Sequence, residues 1–152
     1  MGQLVYHEWA RLLALSSAGY MLWASFWAFL YRKFFWDMIG GTLGPAGIIP
    51  GSNTAPLVFI TTTIPLLQTF TLLLSIVALA LEWPLPMLRG TAIHRSLTLR
   101  VVLYFLTAFV GIMVYQTVDC AIYFAITSGV YVRAMMRGET MAERSGQAWS
   151  DA

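Results

Sequence analysis

The fold class this chain predicts is an all-α membrane protein, a four-transmembrane-helix bundle with both termini in the cytoplasm. Three observations predict it. Of the 152 residues, 59% are hydrophobic and 11% are charged, half or less of the charge an ordinary soluble domain carries. Four apolar stretches approach the ~20 residues that a ~30 Å hydrocarbon core requires. Lys and Arg fall asymmetrically on the segments that join those stretches.

The first span is expected at about 9–30, with Arg11 near enough to its end to snorkel. The apolar stretch lacks a basic leader and exceeds signal-peptide length, so it reads as a retained helix. The second runs at about 56–81, with Pro65 expected as a kink or a start. The third covers about 97–116 and the fourth about 120–136. Only a few residues around Asp119 separate these two, which predicts a tight antiparallel hairpin. Residues 1–137 thus form one transmembrane domain, followed by a short polar tail over 138–152.

The joining segments set the orientation. With four crossings, the termini and the loop from Glu82 to Ser96 share one side. That side carries Arg11, Arg89, Arg95, Arg100, Arg133, Arg137 and Arg144, seven of the nine basic residues; the other side has Arg32 and Lys33. The positive-inside rule then places both termini in the cytoplasm. On the opposite side, Tyr31 to Ile39 mixes aromatic and basic residues suited to a headgroup boundary. Gly40 to Gly51, rich in Gly and Pro, is expected to be the longest irregular loop.

Candidate chemistry is sparse, and the chain reads as a non-enzyme. The single cysteine, Cys120, excludes an internal disulfide and a cysteine-based metal cluster. A membrane haem site needs histidines facing the bundle interior, whereas His7 and His94 lie outside the expected spans. A net charge of +2 with scattered Arg makes no nucleic-acid footprint. Glu8, Asp37, Glu82 and Asp119 all fall at span boundaries, where a carboxylate reaches water or a basic neighbour cheaply. Gln68 and Gln116 fall within spans and read as interhelical glue, with substrate contact as the alternative. A small transporter would use them together with Asp119.

Small residues recur at one-turn spacing: Ala10, Ala14 and Ala18; Thr107 and Gly111; Ala121, Ala125 and Gly129. Such stripes let helices approach closely in lipid, either within the bundle or against a larger partner. The exit from the second span, Leu81-Glu82-Trp83-Pro84-Leu85-Pro86, is extended by its prolines and anchored by Trp83. Beyond it, Arg95 and Arg100 can meet anionic lipid or an acidic partner. The partner-interface candidates are therefore Ala121, Ala125, Gly129, Tyr131, Thr107, Gly111, Glu82, Trp83 and Arg95.

With these residues in view, the chain resembles the fungal NoxD-like family and, beyond it, the small non-haem light chain of the NADPH oxidase flavocytochrome b. The light-chain likeness lies in Met1-Gly2-Gln3 with Trp9-Ala10, in Leu81-Glu82-Trp83-Pro84, and in Ser128-Gly129-Val130-Tyr131 followed by Arg137-Gly138-Glu139. The fungal likeness adds Trp9-Ala10-Arg11-Leu12, Phe35-Trp36-Asp37, Gly90-Thr91-Ala92-Ile93-His94-Arg95-Ser96 and Tyr115-Gln116. The resemblance implies a non-catalytic subunit that binds, stabilises and helps mature the catalytic subunit of a superoxide-generating oxidase. Haem and flavin would belong to that partner, in a heterodimer of the endoplasmic reticulum or plasma membrane, and this chain would hold no cofactor. Because the tail after Gly138 has no proline, docking of an SH3 organiser through a polyproline segment is not expected. The competing expectation is a free-standing tetraspan that organises membranes or escorts cargo in the endoplasmic reticulum.

Overall fold

The computed structural model describes residues 5–83 and 91–139. Outside them fall the start at Met1-Gly2-Gln3, the loop containing Pro84, Pro86, Arg89 and Gly90, and the tail beyond Glu139 with Arg144. Six helices and one small hairpin make up the described chain: α1 (Tyr6–Leu30), β1 (Thr42–Gly44), β2 (Gly47–Ile49), α2 (Ala55–Thr62), α3 (Leu66–Glu82), α4 (Ala92–Arg95), α5 (Leu97–Gly111) and α6 (Val118–Met136). Single 3-10 turns occupy Phe35–Met38, Ser52–Thr54 and Tyr115–Thr117. α1 packs against α3 and α6, and α5 against α6.

The residue distribution is that of a protein bathed in lipid. Large apolar side chains such as Leu12, Trp23, Phe26 and Phe105 face outward, while Ala10, Ala14 and Ala18 are fully buried together with Ser25, Thr71, Ser75 and Thr107. Small residues inside bring backbones close, and the buried hydroxyls bond to carbonyls one turn back, as Ser25 does to Met21 (2.7 Å) and Thr107 to Leu103 (2.8 Å). Ser25 also reaches Thr71 across the α1–α3 contact at 3.1 Å.

Among the described residues, two helices, Tyr6–Leu30 and the unit Tyr115–Met136, are long and apolar enough to cross a membrane. The expected second span is broken rather than continuous: α2 and α3 meet at a 58° bend around Thr63–Pro65, and they make a third crossing only if counted together. Proline explains the break. Pro65 is the N-cap of α3 and has no N–H for the carbonyl of Thr61, four residues earlier. Gln68 fills that vacancy, its Nε2 donating to the Thr61 carbonyl at 2.7 Å. Gln68 therefore holds the two halves of one bent segment together.

The third expected span ends early. α5 stops at Gly111, and its 15 residues rise about 22 Å, short of a ~30 Å hydrocarbon core. Residues 112–115 turn away because their backbone bonds to the segment after α1: the Phe35 N–H donates to the Met113 carbonyl (3.0 Å) and the Tyr115 N–H to that of Lys33 (3.2 Å). Gln116 consequently lies in the 3-10 turn that opens the Tyr115–Met136 unit, donating to the Tyr31 carbonyl, and not at the end of α5. Asp119, expected in the connection, sits exposed in the first turn of α6. The glycine-rich loop is likewise more ordered than expected, since β1 and β2 pair antiparallel with Gly44 opposite Gly47.

α5 and α6 do form an antiparallel hairpin. Ser128 bonds the Val101 carbonyl at one end, and Gly111 approaches Ala121 at the other. α6 closes with Gly138 at φ 70°, the left-handed conformation glycine adopts freely. There the N–H groups of Gly138 and Glu139 return to the Met135 and Ala134 carbonyls.

Candidate functional site

The end of the bundle that holds the α3 C-terminus concentrates its charge in one buried cluster. Glu82 ends α3, Arg100 and Tyr104 lie one turn apart on α5, and Tyr131 lies on α6; all four side chains are fully buried. The antiparallel register of α5 and α6 brings Arg100 level with Tyr131, and α3 delivers Glu82 between them. Arg100 Nη1 forms an ion pair with Glu82 Oε1. The hydroxyls of Tyr104 and Tyr131 donate to the same oxygen, the latter at 2.7 Å.

Backbone carbonyls complete the shell. Arg100 Nη2 donates to the Leu81 carbonyl at 3.3 Å and to the His94 carbonyl at 3.0 Å. Arg11, from α1, donates its Nε–H to the Glu82 carbonyl at 3.2 Å, capping the free end of α3. Glu82 Oε2 and Arg100 Nε are buried without a hydrogen-bond partner among the described residues. Burial of the His94 ring, with the Arg100 guanidinium beside it, holds its pKa below the ordinary 6.5. The Glu82 carboxylate and the Arg100 guanidinium thus join α3, α5 and α6, and Arg11 ties α1 to the same corner through the Glu82 backbone carbonyl. Removing either charge strands the other in a dry interior.

A second tie joins the end of α6 to the start of α1. Glu139, just past α6, accepts from the N–H groups of Tyr6 (3.1 Å) and His7 (2.9 Å), the free donors of the α1 N-terminus. The His7 ring meets the same carboxylate at 2.9 Å. Arg137 and Arg133 lie over the Tyr6 ring, 4.6 and 5.5 Å from its centroid. Burial pushes the Glu139 carboxyl up, but the hydrogen bonds from His7 and Tyr6 outweigh it and hold the pKa below 4.5.

The sequence-predicted candidates divide by burial. Glu82, Thr107, Gly111, Ala121 and Tyr131 face the interior. A Cβ on Gly111 would stand 2.7 Å from Met21 Cε. The stripe Ala121-Ala125-Gly129 therefore does not act as one face: Ala121 packs inward while Ala125 and Gly129 point out, with open space around Gly129. Trp83 and Arg95 are exposed. Arg100, expected to meet lipid or an acidic partner, is instead spent on Glu82, because a guanidinium inside a helix bundle is stable only with an internal counter-charge. Arg11 likewise turns inward rather than snorkelling.

Sequence reasoning missed Tyr104 altogether. Its signal was available: Arg100 falls inside an expected span and demands partners, and Tyr104 stands one turn along the same face. Among the described residues, no group of three or more His, Cys, Asp or Glu is placed to hold a metal. No curated protein and no solved structure matches the chain. One family model does, over residues 1–139, and so spans both the buried cluster and the Glu139 tie. The chain belongs to the domain family of unknown function DUF7727.

Proposed function

We propose that the chain is a non-catalytic membrane subunit that binds and stabilises the haem- and flavin-carrying subunit of a superoxide-generating NADPH oxidase. The observation that carries this reading is the division of α6 into two faces. Its inner face is committed to the bundle through Ala121, Phe124, Ser128 and Tyr131. Its outer face offers Ala125 and Gly129 beside Ile122 and Ile126, a surface on which a second membrane helix can approach closely. Trp83 and Arg95 would extend that contact at the membrane boundary.

The resemblance to the oxidase light chain supports the same reading. Its polar positions are among those that tie this fold together: Glu82 and Tyr131 in the buried cluster, Ser128 bonding α6 to α5, and Glu139 at the α1 N-terminus. A shared set of internal ties argues for a shared bundle. α5 runs antiparallel beside α6, so a bilayer crossed by α6 is crossed by α5 as well. A shortfall in length is met by local thinning. Together with α1 and with α3, the longer half of the bent segment, this makes four crossings, and the basic end, where α1 starts and α6 ends, faces the cytoplasm.

Deleting the protein from its host tests the proposal. The oxidase subunit should lose most of its steady-state abundance and the cells most of their superoxide output. Normal levels of both would overturn it, leaving the free-standing tetraspan as the better account.

A further inference from the structure

One segment of the molecule is used neither by the buried cluster nor by the proposed docking face. Between Asp37 and Glu82 the chain has no Asp, Glu, Lys, Arg or His. Its first half, up to Pro65, leaves the bundle at the level of the α1 C-terminus: Arg32 Nη1 reaches the Thr62 carbonyl at 3.4 Å, and Phe35 and Trp36 are bonded to the α5–α6 turn. The hairpin is closed tightly at its base. A Cβ on Gly41 would lie 2.8 Å from the Ile49 carbonyl oxygen, and one on Gly51 would lie 2.6 Å from that of Gly40. It is nevertheless apolar on the outside, with Leu43 91% exposed and Ile48 and Ile49 also open. α2 and its exit add Leu57, Phe59 and Ile64.

An uncharged, closed hairpin with exposed aliphatic side chains is poorly suited to project into water. Its neighbours mark where it belongs. Arg32, Lys33, Trp36 and Tyr115 gather at the α1 C-terminus and the α5–α6 turn, where the segment leaves the bundle, with Lys33 Nζ 4.9 Å from the Tyr115 ring centroid, and such residues sit at headgroup depth. We infer that the hairpin β1–β2 and α2 are an interfacial element, seated among the lipid headgroups and upper acyl chains rather than standing off the membrane as a loop. The 58° bend at Thr63–Pro65 is what lets α2 leave the direction of α3 and lie along that boundary. Having no charge of its own, the element inserts through apolar contact, and the shielding of its exposed side chains is independent of salt.

The inference rests on the helices crossing a bilayer, so both are read in one experiment. The full chain, with Cys120→Ser, carries an environment-sensitive fluorophore at Leu43→Cys or Phe59→Cys and is reconstituted alone in phosphatidylcholine vesicles. A third variant, Leu73→Cys, reports the middle of α3. Labels at 43 and 59 should be quenched several-fold more by lipids with a nitroxide near the headgroup than by aqueous iodide, equally at low and high salt. The label at 73 should be quenched by a deep acyl-chain nitroxide. Iodide access at 43 and 59 equal to that of the free dye, with deep quenching retained at 73, overturns the interfacial element alone. Loss of deep quenching at 73 overturns the membrane-spanning reading with it. Shielding at 43 that arises only when a haem-carrying partner is added assigns the surface to protein and also overturns the inference.

Discussion

The two ends of the bundle are closed by different chemistry. At the end holding the α1 N-terminus and the α6 C-terminus, the ties are charged side chains: Glu82 with Arg100, and Glu139 with the α1 N-terminus. At the opposite end they are mostly backbone, with Phe34 and Val114 in an isolated antiparallel bridge and N–H to carbonyl bonds on either side. Side chains reinforce that end, among them Trp36 donating to the Ile112 carbonyl at 3.1 Å, Gln116 to that of Tyr31 and Arg32 to that of Thr62. A backbone tie accepts almost any side chain, whereas an ion pair in a dry interior requires both partners. The first end should therefore be intolerant of substitution and sensitive to pH, the second tolerant and insensitive.

The largest test of that contrast is Arg100→Met. It leaves the Glu82 carboxylate buried without its counter-charge, and the loss should be about 3–5 kcal/mol in a reversible unfolding measurement in detergent. Pairing it with Glu82→Gln should recover part of the loss, because the stranded charge is gone. Next comes Gln68→Leu, which orphans the Thr61 carbonyl at the α2–α3 bend. It should cost about 1–3 kcal/mol, read in the same assay. At the backbone-tied end, Trp36→Phe removes one hydrogen bond and should cost only about 0.5–1.5 kcal/mol.

The smallest effect is that of pH. His94 and Glu139 are both held below their ordinary values, so the unfolded chain binds more protons than the folded chain as pH falls. The contribution of His94 is complete above pH 6.5 and is lost as pH drops through its lowered pKa. That of Glu139 is complete above pH 4.5 and is lost likewise. Hydrogen exchange should show the Tyr6 and His7 amides losing protection on acidification. The Phe35 and Tyr115 amides, bonded to carbonyls that do not titrate, should keep theirs.

Much of this fold was legible in the sequence, because hydropathy and proline act locally. α1 begins three residues before its expected start and ends at Leu30, as expected, and Pro65 starts α3 as its missing N–H requires. The grouping of basic residues anticipated which segments meet at the charged end. Pairing over long range was not legible. The apolar run continues past Gly111, so nothing local reveals that residues 112–115 turn aside to bond the chain after α1. Glu82 looked like a boundary charge with water in reach, and Arg100 like one that meets anionic lipid or an acidic partner. Only the register of α3 against α5 and α6 turns them into one buried pair, and only that register recruits Tyr104. The same register splits Ala121 from Ala125 and Gly129, which even spacing had made a single stripe.

The central claim, that this chain works by holding a catalytic partner in the membrane, is tested most directly by purifying it from its own membranes in mild detergent. The account predicts a haem absorption band eluting with the chain at near-equal stoichiometry, weakened when Ala125 and Gly129 are both replaced by Leu while the chain still folds. A haem-free chain recovered under conditions that keep the oxidase intact would contradict it.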